Sequence, residues 1–233
     1  MSPSKTTVIL LAAGHGKRML PLTKDIPKPL LKVDKHSLIE HHLFKLSRSG
    51  FIDIVVNVAY LADSIIDRLG DGSRFGVKIR FSDESQTGAL ETAGGIKNAL
   101  PLIQSDPFIA INADIWTDFN FASLLTDIPE YGSLVMTNNP PHNPQGDFSI
   151  NQEGLLVAHN SNETLTYSGI AIYRKKIFVD LEPRKSALAP LFRQLIDEQK
   201  LRGQRLNGEW FDIGTPDRLE ELRKKVKHHR KHD

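Results

Sequence analysis

The chain has 233 residues, of which 39% are hydrophobic and 25% are charged, and its formal net charge is +2 at pH 7. A chain of this length can fold as one large α/β domain with a buried core, and so small a net charge predicts neither a nucleic-acid partner nor a membrane. The absence of cysteine excludes disulfides and cysteine-based zinc sites. No apolar run approaches the length of a membrane span, and we therefore expect a cytoplasmic protein.

Strand and helix signals alternate through the first half of the chain. Val8–Leu11 predicts a short buried strand. Ser37 and Glu40 fit a capping box at the start of a helix that Gly50 ends, and Thr92 is predicted to cap a later helix. The other predicted elements of this half are strands over Ile54–Val58, Val77–Phe81 and Phe108–Ile111, and helices over Asp63–Leu69 and up to Leu100.

The second half of the chain is less regular. Its predicted elements are strands over Tyr131–Thr137, Tyr167–Tyr173 and Trp210–Ile213, a hairpin over Asp147–His159, and helices over Leu188–Lys200 and from Thr215 onward. Asn138–Gln145 is the predicted mobile loop, which could close over a substrate. Because strands joined by helical crossovers pair in parallel, we predict an α/β fold: a Rossmann-like mixed, mostly parallel sheet with helices on both faces, plus a smaller β-rich part.

Residues 10–31, LLAAGHGKRMLPLTKDIPKPLL, join the first strand to a glycine-rich turn. Small side chains there would let a ligand lie against bare backbone: Ala12, Ala13, Gly14 and Gly16. Lys17, Arg18 and Lys28 add positive charge, and free N–H groups beside cations favour an anion, a polyphosphate fitting best. The glycines alone favour equally an ordinary tight turn with solvated lysines. The third glycine of a dinucleotide fingerprint and a P-loop are both absent.

Two aspartates are candidate metal ligands. Asp114 follows a predicted strand, and Asp212 lies in WFDIGT. For either one alone, a role as a helix cap or turn residue is slightly favoured. Together with a polyphosphate turn they suggest a Mg²⁺ site, because Mg²⁺ is usually held by one or two carboxylates and substrate phosphates. The turn and Asp114 both follow strands, so both are expected at the carboxyl edge of the sheet.

The motif LAAGHGKRMLPLT followed by PKPL resembles the N-terminal signature of the sugar-1-phosphate nucleotidyltransferases. The later segments ETAGG, NADIWTD, GDF, YSGI and WFDIGT are most similar to the bacterial N-acetylmuramate-1-phosphate uridylyltransferases of cell-wall recycling. The similarity extends from about Thr6 to about Leu222, and the chain departs from the pattern at Ala113, where relatives usually have glycine.

This resemblance implies roles for individual residues. The expected catalytic residues are Arg18, Lys28, Asp114 and Asp212, with Asp114 and Asp212 binding Mg²⁺. The expected nucleotide-binding residues are Leu11, Ala12, Ala13, Gly14, Gly16, Lys17, Arg18, Lys28, Glu91, Thr92 and Gly94. The sugar-phosphate candidates are Asn112, Asp147, Ser168 and Gly169, although Asp147 reads equally well as a turn residue. Neither His41 nor His42 is assigned to a metal; both are expected on a helix surface, and Phe119 and Phe121 in the core.

The implied activity is transfer of a uridylyl group from UTP to a sugar-1-phosphate, N-acetylmuramate α-1-phosphate in peptidoglycan recycling. The alternatives are glucose-1-phosphate with dTTP, mannose-1-phosphate with GTP, or a non-catalytic nucleotide or sugar-phosphate sensor on the same fold. We expect one domain, 1–233, with a nucleotide-binding part over about 6–130 and a sugar-phosphate-binding part over about 131–222. Residues 223–233 are expected to form a solvated basic tail, and the protein is expected to be a monomer.

Overall fold

The computed structural model describes residues 1–158, 163–182 and 184–229. Its helices are α1 (Leu38–Arg48), α2 (Ala62–Leu69), α3 (Glu91–Ala99), α4 (Leu188–Asp197) and α5 (Pro216–His229). Its strands are β1 (Val8–Leu11), β2 (Lys32–Val33), β3 (His36–Ser37), β4 (Asp53–Val58), β5 (Lys78–Asp83), β6 (Phe108–Asn112), β7 (Ile115–Thr117), β8 (Gly132–Thr137), β9 (Ser149–Ile150), β10 (Leu156–Val157), β11 (Thr166–Tyr173), β12 (Leu201–Arg205) and β13 (Trp210–Asp212). In these ranges we find no helix that combines the length and the apolar character needed to span a bilayer.

Seven strands form one central sheet in the order β12-β8-β11-β6-β1-β4-β5. Strand β1 pairs in parallel with β4 and β6, β5 adds in parallel to β4, and β12 adds in parallel to β8. Strand β11 runs antiparallel to its neighbours β6 and β8. The predicted mixed, mostly parallel sheet is therefore confirmed.

Successive residues of β1 enter two different hydrophobic cores, because side chains alternate across a strand. Leu10 packs in one core with Leu43 of α1. Ile9 packs in the other with Ile96 of α3 and Phe192 of α4. The helices therefore cover both faces of the sheet, as predicted.

The start of α3 differs from the prediction. The helix begins at Glu91, so Thr92 lies in its first turn and does not cap it. The N–H groups of Ala93 and Gly94 instead donate to the backbone carbonyl of Ser186, at 3.0 and 3.1 Å. A neighbouring loop thus satisfies the orphan donors that a side-chain cap would otherwise bind. The capping box of α1 is present, with the Ser37 N–H donating to Glu40 Oε2 at 2.8 Å.

The prediction of a surface position for the α1 histidines is wrong for His42. This residue is 3% exposed, and its Nε2 donates to the carbonyl of Ile115 at 2.8 Å. Burial lowers the pKa of His42 to about 4, so the ring is neutral at pH 7. His41 is half-buried and donates to the Val33 carbonyl at 2.9 Å. Phe119 and Phe121 are core residues, as predicted.

The end of α4 also differs from the prediction. The helix ends at Asp197, and Gln199 adopts a positive φ of 56°, which turns the chain into β12. Sequence analysis missed β12 because LRGQR has too few apolar residues to give a strand pattern; backbone pairing with β8 forms it. The predicted hairpin is present as β9 and β10, and its last predicted residue, His159, lies outside the described residues.

The C-terminal helix anchors the glycine-rich turn. Leu219 and Leu222 of α5 pack with Met19, from that turn, in a third core that also contains Ile213. Residues near the end of the chain are thereby held against residues near its beginning. This contact brings the WFDIGT segment to the same end of the molecule as the glycine-rich turn.

The expectation of a solvated tail from residue 223 is wrong for its first part. Arg223 Nε donates to the carbonyl of Lys32 at 2.8 Å, and Lys225 Nζ pairs with Glu209 at 2.6 Å. Both cations therefore attach α5 to the body of the protein. Residues 230–233 of the predicted tail lie outside the described residues.

Candidate functional site

A cavity of about 620 Å³ opens at the carboxyl edge of the central sheet. Its walls are the end of β1, the glycine-rich turn, the segment around Lys28, the start of α3, the residues that follow β6, and Gly214. This volume lies in the range of sites for small-molecule ligands. The cavity also lies where ligands bind in parallel α/β sheets.

The glycine-rich turn presents unpaired backbone donors to this cavity. In the described part of the chain, the N–H groups of residues 13–16 make no backbone hydrogen bond, whereas the flanking Ala12 N–H donates to Asn57 O at 3.0 Å. Around Gly14, a Cβ would meet nothing within 4 Å, so this backbone is open. Successive free N–H groups form a concave site for an anion.

The turn is folded tightly onto the segment that carries Lys28. Gly16 has φ 62°, and a Cβ there would lie 3.1 Å from Thr23 Cγ2 and 3.2 Å from Lys28 Cβ. The Thr23 hydroxyl donates to the Gly16 carbonyl at 2.9 Å. Glycine is therefore needed at position 16 both for its left-handed backbone and for this close approach.

Lys28 forms an ion pair inside the cavity. Its Nζ donates to Asp114 Oδ2 at 2.5 Å, and the two side chains are 10% and 40% exposed. Pro27 and Pro29 flank the lysine, and a short 3₁₀ turn over Lys28–Leu30 directs it inward. A fixed ammonium beside a partly open carboxylate suits a site that receives both a phosphate and a metal ion.

Asp114 and Asp212 lie at neighbouring positions of one two-stranded ladder. Strand β13 pairs antiparallel with β7 so that Asp212 is opposite Ile115, and the Ile213 N–H donates to the carbonyl of Asp114 at 3.0 Å. The ladder brings together two residues that are far apart in the chain. Asp114 lines the cavity, whereas Asp212 is not among the cavity-lining residues.

The carboxylate of Asp212 is held by side chains from two other segments. Nη1 of Arg218, in the first turns of α5, donates to both carboxylate oxygens at 2.5 Å. His142 Nε2, from the predicted lid loop, lies 3.0 Å from Asp212 Oδ1. Arg218 and Arg18 also flank Gly214, where a Cβ would overlap Arg218 Nη2 and lie 3.3 Å from Arg18 Nη2. Two guanidinium groups thus meet beside the cavity.

A second cavity of about 680 Å³ adjoins the first and shares Thr92 and Asn112 with it. Asp147 lines this second cavity, but both of its oxygens are bound: Oδ2 accepts from the Tyr167 N–H at 2.7 Å and Oδ1 from Asn143 Nδ2 at 3.2 Å. The second cavity thus lies next to the first, with Thr92 and Asn112 in the wall of both.

Comparison of the sequence with known protein families identifies the family to which this chain belongs. The sequence model of the Nucleotidyl transferase family matches residues 7–229. The chain belongs to this family.

Named relatives cover nearly the whole of this nucleotidyl transferase. It is 44% identical over 220 residues to the N-acetylmuramate alpha-1-phosphate uridylyltransferase of Neisseria meningitidis serogroup B, covering 91% of this chain and 95% of that protein. The Caulobacter vibrioides protein of the same name is 33% identical over 230 residues, covering 93% and 95%. The structure of HddC from Yersinia pseudotuberculosis, complexed with GMP-PN, shares the fold with a TM-score of 0.79, at 22% identity over 95% of this chain and 99% of that one.

Most of the expected nucleotide-site residues of this nucleotidyl transferase line the first cavity. They are Leu11, Ala12, Ala13, Gly14, Gly16, Lys17, Arg18, Lys28, Glu91 and Thr92. The sugar-phosphate candidate Asn112 and the metal-ligand candidate Asp114 line the same cavity. The methyl group of Ala113 lies in the hydrophobic core, fully buried, so the departure from glycine at this position adds nothing to the cavity wall.

Gly94 is placed differently from the expectation. It is buried under the loop that follows β11, where a Cβ would lie 2.5 Å from the carbonyl oxygen of Arg184 and 3.2 Å from the Ser186 N. The absent side chain makes room for this loop, so Gly94 shapes the cavity indirectly, by letting the loop close over α3.

Ser168 and Gly169 also do not line either cavity. The Ser168 hydroxyl is 1% exposed and donates to the Val135 carbonyl at 2.7 Å, which ties β11 to β8. Gly169 has φ 79°, and a Cβ there would lie 2.6 Å from Asn112 Nδ2. These two residues therefore support Asn112 and the sheet beneath it, and their assignment to the sugar phosphate stays a prediction.

Sequence reasoning missed several residues of the site. Asn57 and Lys185 line the first cavity, and Lys185 pairs with Glu91 at 3.4 Å. Asn57 could have been predicted by the argument used for Asp114, because it is a polar residue at the carboxyl end of a predicted strand. Burial raises the pKa of Glu84, whose Oε2 accepts from the Leu90 N–H at 2.8 Å and whose other oxygen binds Asn57. Nothing in the local sequence marked Lys185.

Proposed function

We propose that this nucleotidyl transferase forms a UDP-sugar and pyrophosphate from UTP and N-acetylmuramate α-1-phosphate. The observation that carries the proposal is the first cavity itself, in which free backbone donors, Arg18 and the Lys28–Asp114 pair face the same space. Identity of 44% over 95% of the Neisseria protein supports the choice of UTP and this sugar. The adjoining second cavity gives room for the sugar.

The acceptor needs no general base in this reaction. An oxygen of the sugar phosphate is already anionic at pH 7 and attacks the α-phosphorus of UTP. The new P–O bond joins the two phosphates, the bond between the α- and β-phosphates breaks, and pyrophosphate leaves with its electron pair. Catalysis then rests on positioning and on neutralising charge, as in phosphoryl transfer.

The residues of the first cavity divide these tasks. The free N–H groups of residues 13–16, with Lys17 and Arg18, would hold the β- and γ-phosphates that become pyrophosphate. Lys28 would neutralise charge at the reacting phosphate, since its ammonium is already fixed inside the cavity. Asn112 lines both cavities and would orient the sugar phosphate between them.

The carboxylate oxygens of Asp114 and Asp212 are suitable ligands for Mg²⁺. Among the described residues, no group of three or more histidine, cysteine, aspartate or glutamate side chains is arranged to hold a metal. Mg²⁺ needs only one or two carboxylates when phosphates supply further oxygens. Asp212 ends β13, and Asp114 immediately precedes β7, the strand with which β13 pairs. These two residues would hold the ion, with Arg218 releasing an oxygen of Asp212. When bound, Mg²⁺ would neutralise charge on the phosphates.

The test crosses a panel of nucleoside triphosphates with a panel of sugar-1-phosphates and measures pyrophosphate release. We expect turnover with UTP and N-acetylmuramate α-1-phosphate, in the presence of Mg²⁺, well above every other pair. If the enzyme preferred dTTP with glucose-1-phosphate, or GTP with mannose-1-phosphate, the proposed substrates would be wrong, but the proposed type of reaction would stand. Binding without any pyrophosphate release would favour a sensor. The monomeric state, the cytoplasmic location and the role in peptidoglycan recycling are parts of the same proposal.

A further inference from the structure

The wall of the second cavity is mostly apolar, with a charged rim on α4. Its apolar side chains come from three segments: Phe148, Tyr167, Leu188, Ala189 and Phe192. Its charged residues are Asp147, Arg193 and Asp197. Asn112 lines both cavities, so under the proposed function a sugar whose anomeric phosphate lies in the first cavity would extend into the second.

Arg193 is the cation of this wall. It is exposed, and within the described residues it makes no hydrogen bond and no ion pair. Asp197, one turn further along α4, is the nearest carboxylate on the same helix, and the two side chains do not pair. The oxygens of Asp147 are already bound by Tyr167 and Asn143. The Arg193 guanidinium is thus available to an anionic group on the ligand.

We propose that Arg193 recognises the lactyl carboxylate of the N-acetylmuramyl group and thereby selects this sugar over N-acetylglucosamine; the inference rests on the proposed function. The two sugars differ by the lactyl ether, which adds a methyl group and a carboxylate that is ionised at pH 7. A guanidinium binds a carboxylate through two parallel hydrogen bonds. The apolar wall beside Arg193 accepts the lactyl methyl group, and this division of contacts accounts for both new groups of the sugar.

The test compares the binding of two products, UDP-N-acetylmuramate and UDP-N-acetylglucosamine, by calorimetry. We expect Arg193→Met to raise the Kd for UDP-N-acetylmuramate about 10–100-fold, the loss typical of a hydrogen bond to a charged group. The Kd for UDP-N-acetylglucosamine should stay within about threefold, which also shows that the variant is folded. Arg193→Lys should fall between, because it keeps the charge and loses the two-pronged geometry. Arg48→Met, at the end of α1, is the matched control and should change neither Kd.

Each outcome decides the inference. Equal loss for both products would show that Arg193 contacts a group the sugars share, and an unchanged Kd would show no contact; either result overturns the proposal. Equal wild-type affinity for the two products would also overturn it. The proposed function fails separately, when the wild-type protein releases no pyrophosphate from UTP and N-acetylmuramate α-1-phosphate.

Discussion

Replacing Lys28 by methionine removes the charge that faces Asp114 and keeps most of the side-chain volume. The aliphatic part of Lys28 packs on the turn, with its Cβ 3.2 Å from the position of a Cβ at Gly16, and methionine preserves that contact. Electrostatic groups aimed at a reacting centre contribute about 2.7–4 kcal/mol, so we expect kcat to fall by about 10²–10³-fold. Asp114 is 40% exposed and can be solvated when its partner is lost, so the free energy of unfolding should change by less than about 1 kcal/mol.

The assay measures pyrophosphate release with saturating UTP and sugar-1-phosphate, together with urea unfolding of each variant. Lys32→Met is the matched control: Lys32 is an exposed residue of β2 and does not line the first cavity. We expect the control to keep wild-type kcat. A Lys28→Met variant that unfolds normally and turns over within about threefold of the wild type would refute the role given to this charge.

Two further predictions concern stability. His42 has a pKa of about 4 in the folded protein against 6.5 as its ordinary value, so protonation favours the unfolded chain; its contribution is complete above pH 6.5 and declines by about 3 kcal/mol as the pH falls toward 4. His42→Gln keeps a donor for the Ile115 carbonyl, and urea titrations from pH 7 to 4 should show a shallower decline for the variant; parallel curves would contradict the assignment. Gly169→Ala and Gly88→Ala, at φ 79° and 76°, both place a side chain in the left-handed region, but only the first meets Asn112, at 2.6 Å. We expect the free energy of unfolding to fall by about 1 kcal/mol for Gly88→Ala and by at least twice that for Gly169→Ala. Equal losses would show that the Asn112 side chain moves aside without cost.

Several features of this protein follow from short stretches of sequence. Hydrophobic patterns and turn residues placed β1, β4 and β6 within a residue or so of their observed limits, because each pattern reports which face of a local element is buried. The glycine-rich turn and Asp114 were assigned to one edge because strands that are parallel end on the same side. The capping box of α1 is equally local, since it joins residues three positions apart.

Other features depend on which distant segments meet. The β7–β13 ladder places Asp212 beside Asp114, and their joint binding of a metal ion stays a prediction. The partners of Asp212, Arg218 and His142, come from α5 and from a loop some 70 residues earlier, and no local pattern identifies them. Gly94 is a second example of a role set by a distant segment, because the absence of a side chain there makes room for the loop around residue 184.

The amino-acid sequence by itself determined the α/β architecture and the glycine-rich turn, because these arise from periodicity and from the backbone freedom of glycine over a few neighbouring residues. The family followed from the resemblance of the motif LAAGHGKRMLPLT and the PKPL segment. The tertiary structure alone decided which polar groups are left free. Ser168 is bound to the sheet, His42 is buried under β7, and Arg193 has no partner among the residues that the structure describes, since a side chain's partner is set by the packing of whole elements against each other.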